Sequence, residues 1–192
     1  MTNHISKSDR IIDAAVKVIA NHGYHGAKVT AIAKEAGVAD GTIYLYFKNK
    51  EHLLIELFEA KMGLFIDYSK QQIESETAAG SKLYQLIESH LKQLSADYDL
   101  AVVTQIELRQ SNLVLRQKIG EVLKPYLNLI DSVVKHGIET GEFDKDLDYR
   151  LARQMIFGTI DEVVTSWMAS GFKYDLLSTL PNVHYMLKKG LT

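Results

Sequence analysis

Cysteine is missing from the 192-residue chain. That absence excludes disulfides and thiolate metal sites and makes a cytosolic setting the expectation. Proline is nearly missing too, present only as Pro125 and Pro181. No run alternates in the manner of a strand, so the chain reads as all helix. No stretch approaches the roughly 18 apolar residues that a membrane-spanning helix needs. The opening MTNHISKSDR holds no apolar run, and no signal peptide is expected. Machinery for catalysis is absent as well. There is no Cys nucleophile, no Gly-x-Ser-x-Gly, and no paired-acid or metal pattern, so an enzyme is not expected. His22 and His25 are three apart, but Gly23 interrupts the helix between them, and no metal site is expected.

What is present is a 46% hydrophobic composition, enough to build a core. The net charge of -2 is small, but it is unevenly spread. Residues 1–50 hold seven Lys/Arg and four Asp/Glu, a balance of +3, and the remainder holds 15 and 20, a balance of -5. Such asymmetry is expected when one segment meets a polyanion and the other does not.

Periodicity predicts a first helix over about Ser8 to His22, with Ile12, Ala15, Val16 and Ile19 on one face, Ser8 as its cap and Gly23 as its end. A second helix is expected from a Thr30 cap to Gly37, and a third from an Asp40 cap to about Phe47. A long fourth helix runs from near Asn49, perhaps as far as Glu74. SETAAGSK, residues 75–82, reads as a linker. Beyond it lie a stripe of Leu83, Leu86, Ile87, His90, Leu91 and Leu94, then AVVTQIELRQ broken at Ser111-Asn112. Further helices are expected over about Pro125 to Thr140, along DYRLARQMIFGTIDEVVTSWMAS, and over about Asn182 to Lys189. His90 on its apolar stripe is read first as a satisfied core histidine, and second as a ligand contact.

The second and third helices, joined at Gly37-Val38-Ala39, have the helix-turn-helix arrangement. Gly37 supplies the left-handed backbone of the turn. Ile43 and Phe47 share an inward face. Gly41, Thr42, Tyr44, Leu45 and Tyr46 are left outward, where a recognition helix meets base edges in the major groove. Thr42 bonds a base or phosphate, and Leu45 suits a thymine methyl. Lys48 and Lys50, with Lys28 ahead of them, neutralise backbone phosphates, and Thr30 sits at a helix N-terminus that favours an anion. Ala39 and Asp40, at the entry to the third helix, complete the candidate DNA-binding set.

The stretch VTAIAKEAGVADGTIYLYFKNKEHLL, through Thr30, Ile32, Ala33, Ala36-Gly37-Val38, Gly41-Thr42, Tyr44, Tyr46-Phe47, Lys48 and Lys50-Glu51, resembles the DNA-binding domain of the TetR family of transcriptional repressors. The likeness is strong over the first 55 or so residues. It implies an all-α fold, with a three-helix DNA-binding domain over 1–50 and a larger ligand-binding and dimerisation domain over 51–192. It also implies a homodimer, a palindromic operator on double-stranded DNA, and a small-molecule inducer.

AVVTQIELRQSNLVLRQKI and DYRLARQMIFGTIDEVVTSW further resemble the branch of that family that regulates fatty-acid degradation. This resemblance implies repression of β-oxidation genes and release from DNA by long-chain acyl-CoA, as an effector rather than a cofactor. A repressor answering to another apolar ligand, such as a drug or a free fatty acid, is the alternative. An acyl chain needs an apolar tunnel, for which Leu91, Val103, Ile106, Met155 and Phe157 are candidates. Arg109, Arg116, Arg150 and Arg153 are candidate cations for a CoA head. Gln105, Gln110 and Asn112 suit a thioester or pantetheine amide. By themselves such stripes also describe an ordinary core, and helix-surface arginines are ordinarily solvated or paired. In the family the last two helices form the dimer interface, which places Ile156, Thr159, Val163 and Trp167 against a partner.

Overall fold

The structure, a computed structural model, describes residues 6–192. The expectation of no signal peptide falls partly on residues 1–5, outside the described residues. Helices follow one another as α1 (Lys7–Gly26), α2 (Val29–Ala36), α3 (Asp40–Tyr46), α4 (Lys50–Glu74), α5 (Ala79–Ala96), α6 (Tyr98–Glu107), α7 (Leu113–Thr140), α8 (Tyr149–Ala169) and α9 (Leu180–Leu191), with a 3₁₀ turn at Leu176–Thr179. There is no strand among the described residues.

Capping chemistry moves several of the expected ends. Ser6, not Ser8, caps α1: its hydroxyl accepts from the Asp9 N–H at 3.0 Å, and Asp9 accepts from Ser6 N–H in return. Gly23 breaks the helical path at φ 67°, ψ 160°, a conformation closed to most side chains, and a further turn follows before Ala27. Lys28 and Ala39 occupy the N-cap positions of α2 and α3 without a side-chain bond, so Thr30 and Asp40 lie inside their helices and cap neither. α5 starts at Ala79, inside the expected linker, because the Glu142 carboxylate accepts from Ala79 N–H at 2.8 Å and Gly80 N–H at 3.1 Å. Those two bonds hold the Glu142 carboxyl below its ordinary range. α7 begins at Leu113, twelve residues before Pro125, because Asn112 Oδ1 accepts from Val114 and Leu115 N–H. Pro125 is exposed, so the intrahelical bond it forgoes is lost on the solvent side.

Packing divides the chain into two compact units. The first joins residues 1–62 to 98–122, and the second joins 63–97 to 123–192. Packing therefore does not cut at residue 50: α6 and the first turns of α7 belong with the helix-turn-helix. In the first unit α1 buries Ile11, Ile12, Ala15, Val16 and Ile19, and packs against α2 and α6. Lys61 Nζ to Asp13 at 2.6 Å and Lys17 Nζ to Glu35 at 3.1 Å add exposed ion pairs, which contribute little each. In the second unit α5 buries Leu83, Leu86, Ile87, His90, Leu91 and Leu94, and packs against α8 and α9. Phe143 lies where a Cβ at Gly137 would stand, 2.1 Å from its ring, so only glycine lets the loop close over α7.

Candidate nucleic-acid interface and effector residues

The turn between α2 and α3 is built as its sequence demands. Gly37 adopts φ 65°, ψ 41°, and the Val38 N–H donates to Ala33 O at 3.0 Å. Arg10 reaches over from α1 and donates to Ala36 O at 2.6 Å, satisfying a carbonyl at the open end of α2. Nothing in the helix-turn-helix pattern pointed to Arg10, because the bond spans 26 residues. Val38 is half-buried at the turn.

On α3 the two faces separate. Ile43 and Phe47 are 2% exposed, while Tyr44 is 56%, Leu45 82% and Tyr46 43% exposed. Such large apolar side chains in solvent, side by side on one short helix, are the surface feature that a partner explains. Gly41, Ala39, Asp40, Lys28, Thr30 and Lys48 are exposed around them, and Thr42 is half-buried. A Cβ at Gly41 would meet nothing within 4 Å, so interior packing does not require that glycine. Lys50 is set apart from the other cations. Its Nζ donates to His25 O at 3.1 Å and lies 4.7 Å over the Tyr24 ring, and burial lowers its pKa. It braces the turn after α1, while Lys48 extends into solvent.

The candidate effector residues fall in both units. In the first, Val103, Gln105 and Gln110 are buried, while Ile106, Arg109, Asn112 and Arg116 are exposed. Arg109 Nη1 donates to Gln105 O at 2.6 Å, and Gln110 Nε2 donates to Glu107. Asn112 Oδ1 is taken up by the cap of α7, leaving only its amide nitrogen for a ligand. In the second unit Leu91 is fully buried, Phe157 half-buried and Met155 52% exposed. Arg153 donates to Asp131 at 2.8 Å, which makes it a structural ion pair. Arg150 stands in solvent against the Tyr149 ring and hydroxyl, which raise its pKa.

Two expected dimer residues are corrected. Ile156 is fully buried and Trp167 is 2% exposed within the chain itself, so neither is free to meet a partner. Trp167 Nε1 donates to Tyr174 O at 2.8 Å and its ring meets Phe172. Thr159 and Val163 are half-buried. The apolar side chains that α8 and α9 do expose are Leu151, Met155, Tyr185 and Met186. A 3.6-residue period does not say which of two adjacent faces packs against the chain's own core.

His90 is half-satisfied. Its Nδ1 and the Tyr126 hydroxyl share a 2.8 Å hydrogen bond, and its ring stands edge-on to Phe65 at 5.2 Å. Its Nε2 has no hydrogen-bond partner. Burial pushes the imidazole down to about 3 and raises the Tyr126 phenol. A cavity of about 280 Å³ opens elsewhere in the second unit, lined by Lys70, Ile73, Glu74, Lys82, Leu129, Ser132, Val133 and His136. Its polar side chains are engaged within the chain, as with Lys82 on Ile73 O, His136 on Thr77 O and Lys70 beside Glu74. It contains no arginine, and it lies below the usual volume range of ligand sites.

An exposed aromatic face on α3 backed by a fixed turn, in a chain that is otherwise helical, is the helix-turn-helix arrangement of a class of transcriptional regulators. The chain belongs to the TetR family: the pattern described as "Bacterial regulatory proteins, tetR family" matches residues 11–57, and "YsiA-like protein, C-terminal region" matches residues 58–190. Its relatives include the fatty acid metabolism regulator protein of Bacillus subtilis (strain 168), 56% identical over 182 residues, 95% of this chain and 94% of that protein. The solved structure of the fatty acid degradation regulator FadR from Bacillus halodurans is 59% identical, with a TM-score of 0.92 over 96% of this chain and 99% of that one. Bacillus subtilis FadR, solved in complex with stearoyl-CoA, is 56% identical, with a TM-score of 0.92 over 95% of this chain and 98% of that one.

Proposed function

We propose that this chain is a repressor of fatty-acid β-oxidation genes. It binds a palindromic operator as a homodimer and is released by long-chain acyl-CoA. The observation that carries this reading is identity of 56% along 95% of the chain to a regulator solved with stearoyl-CoA, combined with the exposed Tyr44, Leu45 and Tyr46 on α3. In the first unit the exposed Arg109 and Arg116 suit a CoA head, and the buried row around Val103 suits an acyl chain. Leu151, Met155, Tyr185 and Met186 supply the apolar face for a second copy. The chain works in the cytoplasm, where its operator lies, and it carries out no reaction of its own.

The ligand shifts the protein between an operator-binding state and a released state by no more than its difference in affinity for the two. Fluorescence anisotropy with a labelled promoter fragment from a β-oxidation gene tests this. Operator binding at low salt, weakened by stearoyl-CoA and not by stearate, is the expected outcome. Binding untouched by stearoyl-CoA would leave a repressor with a different effector. No binding at all would overturn the repressor itself.

A further inference from the structure

Glu107 is the last residue of α6 and is 3% exposed. A carboxylate is costly to bury, so both of its oxygens must be occupied. One accepts from the backbone N–H of Tyr24 at 2.8 Å, 83 residues earlier. The other accepts from Gln110 Nε2, itself buried in the stretch between α6 and α7. All of these residues lie in the first compact unit, and α6 packs along α1.

The group Glu107 holds is well placed to matter. Tyr24 directly follows Gly23, where the path of α1 breaks, and the turn leads within a few residues into α2. The same turn is tied to the start of α4, because Lys50 donates to His25 O and lies over the Tyr24 ring. Both flanks of the helix-turn-helix therefore meet at one turn, and a buried carboxylate from α6 adds its own tie to that turn. Gln110 belongs to the stretch that also carries Arg109 and Asn112, the candidate residues for an acyl-CoA head.

We infer that Glu107 is the positioning residue through which effector binding acts on the DNA-reading helices. An effector that takes the Gln110 amide leaves Glu107 with an unpaired buried oxygen. The carboxylate then turns or shifts to recover a partner, and the Tyr24 turn is released. Operator-bound and effector-bound arrangements thus compete for one hydrogen bond, and the competition is reciprocal. The inference rests on the repressor reading above.

The test measures a coupling factor, the operator Kd at saturating stearoyl-CoA divided by that without it, and separately the stearoyl-CoA affinity of the DNA-free protein by calorimetry. Glu107→Ala should retain stearoyl-CoA affinity within about threefold while its coupling factor drops by about tenfold or more, within the span of allosteric couplings. Glu107→Gln keeps an acceptor for the Tyr24 N–H and should restore most of the coupling, which separates positioning from bulk packing. Gln110→Ala removes the amide that the effector takes, so it should lose part of the stearoyl-CoA affinity as well as the coupling, and its coupling factor at saturating stearoyl-CoA decides the matter should Glu107→Ala fail to fold. Wild-type coupling in Gln110→Ala, or in a folded Glu107→Ala, overturns the inference. So does parallel loss of stearoyl-CoA affinity in Glu107→Ala, which would place that residue simply in the ligand site. A wild-type protein indifferent to stearoyl-CoA would instead strike at the proposed effector, and the inference would fall with it.

Discussion

Tyrosine is used in two opposite ways. On α3, Tyr44 and Tyr46 stand 56% and 43% exposed. On α7, Tyr126 is fully buried, bonded to His90 at 2.8 Å and set against Phe65 at 5.4 Å and Phe157 at 6.4 Å. The first arrangement gives up apolar burial and, on the proposed reading, presents rings and hydroxyls to operator DNA. The second accepts a dry polar pair, with one orphaned nitrogen, to fill the middle of the second unit. An aromatic ring in this chain thus contributes either to stability or to recognition, according to which face of its helix it occupies.

The largest expected effect separates these two uses. Tyr126→Ala leaves a cavity among Phe65, His90 and Phe157 and should cost about 3–5 kcal/mol of unfolding free energy. Tyr44→Ala should stay within about 0.5 kcal/mol of the wild-type stability, yet lose roughly 1 kcal/mol of operator binding as its hydroxyl contact goes. Urea melts of both variants, beside anisotropy with operator DNA, check the pair. Equal stability losses would erase the contrast.

The next effect concerns pH. The folded pKa of His90 lies near 3, far below the unfolded value. Its contribution is therefore complete above pH ~6.5 and is lost as pH falls toward the folded pKa, because the unfolded chain takes up a proton that the folded chain refuses. At pH 5 the loss should reach about 2 kcal/mol, near the limiting slope of about 1.4 kcal/mol per unit. A series of urea midpoints between pH 7.5 and 5 should show this slope in the wild type and a shallower one in His90→Gln. Identical slopes would mean that the buried imidazole is hydrated after all.

The helix-turn-helix was legible because its signals are local: Gly37 at the turn, Ile43 and Phe47 four apart, and a clean outward row between them. Long helices and their apolar stripes were legible for the same reason. What escaped was set by contacts distant in the chain. Arg10 on Ala36 O, Glu107 on the Tyr24 N–H and Glu142 on the start of α5 span 26, 83 and 63 residues. No periodicity foretells such pairs. The same limit explains the dimer residues. Ile156 and Trp167 carry a correct stripe, but whether it meets the chain's own core or a second copy depends on where α5 and α9 come to lie.

The smallest expected effect lies between two lysines that are indistinguishable in sequence. Lys48 and Lys50 flank Asn49 just past α3, and both suit phosphate contact on charge alone. In the structure only Lys48 is exposed, whereas Lys50 is spent on His25 O and the Tyr24 ring. A phosphate contact releases counterions, so Lys48→Ala should weaken binding to every sequence alike and reduce the slope of log K against log salt by about one unit. Lys50→Ala should leave that slope nearly unchanged. Its effect should instead be a loss of operator affinity that does not vary with salt, because the turn it braces is loosened. Anisotropy titrations across a salt series distinguish the two. Equal slope changes would show Lys50 swinging out to the DNA, and its bond to His25 would then be a resting position of the free protein.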